Sequence, residues 1–218
     1  MPVPETKPDP AATLRRGPNA ARRLATRIRL LDAAIACLHE RGYHRTTTTE
    51  VIERAGVSRG SLLHQFPSRT DLMVGVAEHI ATLRGEAHLA GASQAPDGPE
   101  RLGWLVDVLW GQVSSPSGVA RLELMLASRS DPELAARLGE LNARLEARHK
   151  ELVWSQLRRM GLSNRAESDA LVALYSAALR GLSIDALFPE AQTQVEAAVE
   201  LLKQLLMDRV RGGPGAID

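Results

Sequence analysis

Apolar residues return along this chain at helical intervals. Leu24, Ile28, Leu31, Ile35 and Leu38 stand 4, 3, 4 and 3 apart, which is one stripe of an amphipathic helix. The stripe predicts a helix over 20–41, with Gly42 as its stop. Val51, Ile52 and Ala55 give a second, shorter apolar face. Thr47 followed three residues later by Glu50 reads as a capping box at its start. Gly56 stands where a helix ends in a left-handed residue, and Ser58 can cap the next helix. Leu62 and Phe66 lie four apart and turn inward. Arg59, Ser61, Leu63, His64 and Gln65 are left on the other faces. Ser68 then caps a fourth helix, with Asp71 in its first turn where a negative charge suits the dipole.

The pattern over 47–66 is two short helices joined by a tight turn at Gly56-Val57-Ser58. With the helix before it, this has the size of a minimal helix-turn-helix domain, a device that lays one short helix in the DNA major groove. The turn alone also fits two helices of an ordinary α-bundle.

Further helices are expected over 102–113 and 119–128, separated by a break at Ser114-Ser115-Pro116-Ser117-Gly118. Leu102, Leu105, Val108 or Leu109, and Gln112 mark one side of the first. Asp131-Pro132-Glu133 opens a long helix to about Met160. The helix over 167–187 carries small residues at Ala170, Ala173, Ala177, Ala178 and Gly181. A final apolar stripe runs through Val195, Ala198, Val199, Leu202, Leu205 and Leu206. These last two helices would make a four-helix bundle with a second copy, or pack within one chain.

Charge sharpens the division. The net charge of +1 hides an asymmetry: residues 1–84 hold 13 Lys or Arg against 8 Asp or Glu, and residues 85–218 hold 14 against 18. The half with the turn is therefore at +5 and the other at −4, as phosphate neutralisation by the first half requires. The lone Cys37 excludes an internal disulfide and sits among apolar neighbours. Residues 1–19 are Pro-rich and expected to be a disordered tail. Arg15, Arg16, Arg22 and Arg23 form either a basic arm to the minor groove or a solvated tail. No long apolar run marks a signal or a membrane span, so a cytoplasmic protein is expected. No zinc spacing, P-loop or catalytic constellation appears. The chain is expected to have no catalytic residues, metal or cofactor, and to be no enzyme.

The fragments Thr-Arg-Ile-Arg-Leu-Leu-Asp-Ala-Ala, Glu-Arg-Gly-Tyr, Ala-Gly-Val-Ser-Arg-Gly-Ser-Leu and Phe-Pro-Ser-Arg-Thr-Asp-Leu, in that order over about residues 23–80, resemble the N-terminal domain of TetR-family transcriptional regulators. The resemblance implies an all-α protein: a tail over 1–19, a helix-turn-helix domain over 20–67 and a helical effector-binding and dimerisation domain over 68–218. It implies a homodimer on an inverted-repeat, double-stranded operator. It also implies DNA contacts from Thr47, Thr48, Thr49, Ser58, Arg59, Gly60, Ser61, Leu63, His64, Gln65 and Arg69. Two positions depart from the family pattern. Leu63 replaces a customary aromatic and offers only apolar contact, and Ile52 stands where Ala is common.

A small-molecule effector of unknown identity would sit in the second domain, walled by Trp104, Leu105, Trp110, Leu122 and Met125. Arg121, His149 and Tyr175 would supply its polar contacts. Ordinary core packing explains the same residues. The family's dimer interface would fall on Ala173, Ala177, Gly181, Val195, Val199, Leu202 and Leu206. The function expected is a repressor released from its operator by a ligand. The alternatives are an activator or ligand-blind DNA-binding protein of the same fold, or a helical interaction module.

Overall fold

The computed structural model describes residues 18–92, 94–98, 100–160 and 162–211. Among them every regular element is helical: α1 (Pro18–Arg45), α2 (Thr48–Ala55), α3 (Arg59–Gln65), α4 (Arg69–Ala92), α5 (Glu100–Val113), α6 (Pro116–Ala127), α7 (Pro132–Arg159), α8 (Arg165–Asp185) and α9 (Gln192–Arg211), with a 3-10 turn at Pro189–Ala191. None is long and apolar enough to cross a membrane.

The start and stop signals act as physical chemistry requires. Gly42 interrupts α1 with φ 73°, and Gly56 ends α2 with φ 61°. Asp131 caps α7 through Leu134 N, with Pro132 in the first turn. Several boundaries differ from expectation: α1 runs on past Gly42 to Arg45, α5 begins at Glu100, and α8 spans Arg165–Asp185. Helix α1 begins at Pro18, inside the expected tail. The break before α6 is short, because Ser115 accepts from Gly118 N and Pro116 opens the helix. Gly118 is needed there, since a Cβ on it would lie 2.1 Å from the Val113 carbonyl oxygen.

Two apolar cores result. The first gathers α1 to α4 together with Ala120, Leu124 and Ala127 of α6 and Leu134, Leu138 and Leu141 of α7. Leu31, Ile35 and Leu38 of the stripe are buried in it, as are Leu30, Ala34 and Cys37. Leu24 and Ile28 are exposed, at 47% and 39%, on the part of α1 that precedes this core. The second core joins Leu102 and Val106 of α5, Leu157 of α7, Tyr175 and Leu179 of α8, and Val195, Val199 and Leu206 of α9. The buried line of α5 therefore runs through Val106 rather than Leu105. Helix α7, about 40 Å long at ~1.5 Å per residue, contributes to both cores.

Polar contacts fasten α1 and α4 to α6 and α7. Beside Gly42, Tyr43 N donates to Glu123 Oε2 of α6 at 2.9 Å. Tyr43 Oη donates to Asp131 Oδ2 at 3.1 Å. Arg137 of α7 reaches Asp71 of α4 at 2.7 Å.

Candidate nucleic-acid interface

The turn is held from both ends. Thr47 Oγ1 accepts from Glu50 N at 3.2 Å, and the Glu50 carboxylate accepts from Thr47 N at 3.0 Å. That backbone donor, then Arg41 and the Thr47 hydroxyl, hold the Glu50 carboxyl below its ordinary range. Val57 N closes on Ile52 O at 3.2 Å around Gly56. Ser58 Oγ then accepts from Ser61 N at 3.2 Å and starts α3.

Packing decides which way α3 faces. Leu62 and Phe66 are buried at 2% and 1%. Phe66 lies against Gly75 of α4, where a Cβ would come within 2.7 Å of Phe66 Cε1. The Arg27 guanidinium lies over the ring, 4.3 Å from its centroid. Helix α2 is pinned to α1 by the Arg54 fork on Glu40 at 2.5 and 2.7 Å, and by Arg41 on Glu50. With the inner side filled, Arg59, Gly60, Leu63 and His64 are exposed. Arg59 and His64 have no hydrogen bond or ion pair within the described residues. Thr47, Thr49 and Ser58 are exposed beside them, and Thr48 and Ser61 are half-buried.

Two of the expected contact residues are engaged within the chain. The Arg69 head is engaged inside the protein: it stacks on the Tyr43 ring at 3.9 Å and donates to Tyr43 O at 2.7 Å and Thr46 O at 3.3 Å. It closes the end of α1 onto α4. Gln65 donates through its side-chain amide to Arg23 O at 3.1 Å, and its own carbonyl accepts from Arg27 at 3.3 Å. The hydroxyls of Thr47 and Ser58 are likewise spent on caps. His44 and Arg45, exposed just before α2, were passed over by sequence reasoning, because cations after a helix stop look like ordinary last-turn residues. Arg22 and Arg23 are exposed on α1, whereas Arg15, Arg16 and the rest of the expected tail before Pro18 lie outside the described residues.

The candidate effector residues divide between two places. Tyr175 is buried and donates to Leu202 O at 3.0 Å, so its hydroxyl is satisfied in the second core. Leu105, Trp110 and Leu202 pack on that same core. Leu122 and Met125 are half-buried on α6. Arg121 donates to Asn142 Oδ1 at 2.8 Å. Trp104 stands 5.7 Å from the His88 ring of α4. His149 lies close to His88 and Arg84, and its pKa is pulled down chiefly by burial, then by those two groups.

The expected assembly stripe divides between interior and surface. Val195, Val199 and Leu206 are buried within the chain's own second core. Ala173, Ala177 and Gly181 are exposed. Around them lie Leu174, Ile184 and Phe188 of the α8 end, and Leu201 and Leu205 of α9, each 40–61% exposed. Leu174, Ala177, Gly181 and Ile184 recur at helical spacing on α8, and Leu201 and Leu205 on α9.

Residues 30–76 match the family described as bacterial regulatory proteins, tetR family. The regulator BetI of Escherichia coli O17:K52:H18 is 30% identical over 169 residues, which are 73% of this chain and 85% of BetI. An HTH-type transcriptional repressor of Mycobacterium tuberculosis is 27% identical over 150 residues, 66% of this chain and 71% of that one. Other mycobacterial regulators are matched over 60% of their length. A solved transcriptional regulator from Saccharomonospora viridis, in complex with choline, superposes with TM-score 0.62 at 21% identity, over 85% of this chain and 95% of the other.

Proposed function

The chain belongs to the TetR family of bacterial transcriptional regulators, and from that premise we propose that it is a homodimeric repressor released from an inverted-repeat operator by a small molecule. One observation carries this reading: α3 is anchored by Leu62 and Phe66 and turns Arg59, Gly60, Leu63 and His64 to solvent. A rigid short helix with its polar side outward is what major-groove docking uses.

One such helix makes few base contacts. Two copies about 34–36 Å apart read two half-sites together. The exposed apolar face of α8 and α9 is the surface on which a second copy would pack. Arg59 and His64 would reach base edges or phosphates, and Leu63 would meet a thymine methyl. His44, Arg45, Arg22 and Arg23 would contact the backbone. The domain division follows the same logic: reading head over 20–67, effector and dimerisation body over 68–218. The place of action would be the cytoplasm, beside the DNA.

Release needs a mechanical path from body to head. Glu123 and Asp131 hold Tyr43, Arg137 holds Asp71, and Arg69 binds Tyr43 and Thr46. A ligand that moves α6 or α7 therefore moves the end of α1 and the start of α2. It lowers operator affinity if it binds the displaced geometry better, with a coupling of typically ~1–3 kcal/mol. The choline complex of the Saccharomonospora protein supports a small molecule as the signal. The test is DNase footprinting of the purified chain on DNA flanking its own coding region. The expected result is a protected inverted repeat whose occupancy falls steeply with salt. Binding with no preference over bulk DNA would overturn the reading.

A further inference from the structure

Cations of α4, α6, α7 and α8 bear on one another. Arg121 of α6 and Arg180 of α8 bear electrostatically on Arg84 of α4, and Arg180 on Arg121. His149 of α7 and His88 of α4 adjoin Arg84. The Arg84 Nε is buried and has no hydrogen-bond partner among the described residues. Burial, then Arg121 and Arg180, pull the Arg84 pKa down to about 10; burial and Arg180 lower that of Arg121. Arg121 gives one donor to Asn142. Glu146, which bears on Arg180 and His149, is exposed and already holds Lys150 at 2.7 Å. No acidic group bears on Arg84 or Arg121.

A cation withdrawn from water without a partner is destabilising, and several together repel. Such a cluster becomes favourable once an anion enters it. Guanidinium forks match the planar, two-oxygen geometry of a carboxylate. At the His88 end the half-buried Trp104 offers an apolar wall; its ring rests on the α4 backbone, 3.0 Å from where a Gly91 Cβ would lie.

We propose that Arg84, Arg121 and Arg180 anchor the carboxylate of a small organic acid whose apolar body extends toward Trp104. The inference rests on the reading of the helical body as the effector domain, and it names the effector's chemical class. An anion held by α4, α6 and α8 at once draws these helices together. Helix α6 carries Glu123, so the pull reaches Tyr43.

The experiment uses the full chain without DNA, in thermal denaturation with millimolar benzoate or octanoate against benzamide, octanamide and inorganic phosphate. The carboxylates are expected to raise Tm, and the amides and phosphate are not. Arg84→Met is expected to raise the ligand-free Tm, because an uncompensated charge is removed, and to weaken carboxylate binding at least about tenfold, the scale of one charge-assisted hydrogen bond. Arg180→Met, at an exposed position, is expected to weaken binding and leave the ligand-free Tm unchanged. The proposal is overturned if amides act like carboxylates, if phosphate alone acts, if no carboxylate acts, or if Arg84→Met lowers the ligand-free Tm. Footprints of the ligand-free chain are taken in parallel. A protected operator with no carboxylate effect removes the anion site and leaves the regulator. An unprotected operator removes the regulator whatever the anions do.

Discussion

Replacing Glu123 with Met tests the link between body and head. The substitution keeps the length of the stem and removes the carboxylate that accepts from Tyr43 N at 2.9 Å. The Tyr43 donor comes directly after Gly42, whose φ of 73° turns the chain out of α1 and toward that carboxylate. A hydrogen bond to a charged group contributes ~1.5–3 kcal/mol, and an orphaned buried donor costs about 1–3 kcal/mol. Glu123 is only half-buried, so the lower part of that range applies, about 1–2 kcal/mol. For a chain of this size ~1 kcal/mol moves Tm by roughly 2–4 °C. The expected outcome is a fall in Tm of about 2–8 °C by calorimetry. In gel-shift titrations the variant should bind operator with less response to the effector, since coupling through α6 is weakened. An exposed neighbour, Arg129→Ala, should leave both measurements unchanged. An Arg129-like result for Glu123→Met would refute the view that this contact transmits the signal.

Phe66→Ala should destabilise by about 3–5 kcal/mol in urea unfolding, because the ring is 1% exposed and wedged between Gly75 and Arg27. Arg59→Ala should weaken operator binding with an unchanged Tm, and should lower the slope of log K against log salt by about 0.9 if Arg59 meets a phosphate. Leu201→Glu with Leu205→Glu should halve the mass in sedimentation, because both side chains are 54% exposed on the α9 face proposed to meet a second copy. The Asp71 carboxyl is held below its ordinary range first by the Ser68 hydroxyl and then by Arg137. Its contribution is full above the ordinary carboxylate range and is lost as pH falls through the lowered value. Asp71→Asn should therefore flatten part of the acid limb of stability against pH.

The reading head was legible because its signals are local. A cap joins residues three apart, so Thr47 with Glu50 and Ser58 with Ser61 can be read from spacing alone. Gly56 and the inward pair Leu62 and Phe66 belong to the same short range. Contacts made across the fold were hidden. Nothing near Arg69 in sequence says that its head stacks on Tyr43, so it looked available to DNA. Helix α9 carries apolar residues around most of its circumference. Periodicity found the stripe but could not say that Val195, Val199 and Leu206 face inward while Leu201 and Leu205 face out. Arg84 and Arg180 sit in separate helices with no shared motif. Only the packing of α4 and α8 against α7 brings them toward each other.

The sharing of one apolar interior by α1 to α4, α6 and the first half of α7 bears on how such a protein can be taken apart. A fragment cut near residue 67 would strip α6 from α1 and remove Ala120, Leu124 and Leu134 from the core that Leu30, Ala34 and Leu38 share. The DNA-reading portion is therefore no detachable cassette. Recombination that trades sensors between regulators of this design has to exchange, or refit, the walls that one half lends the other.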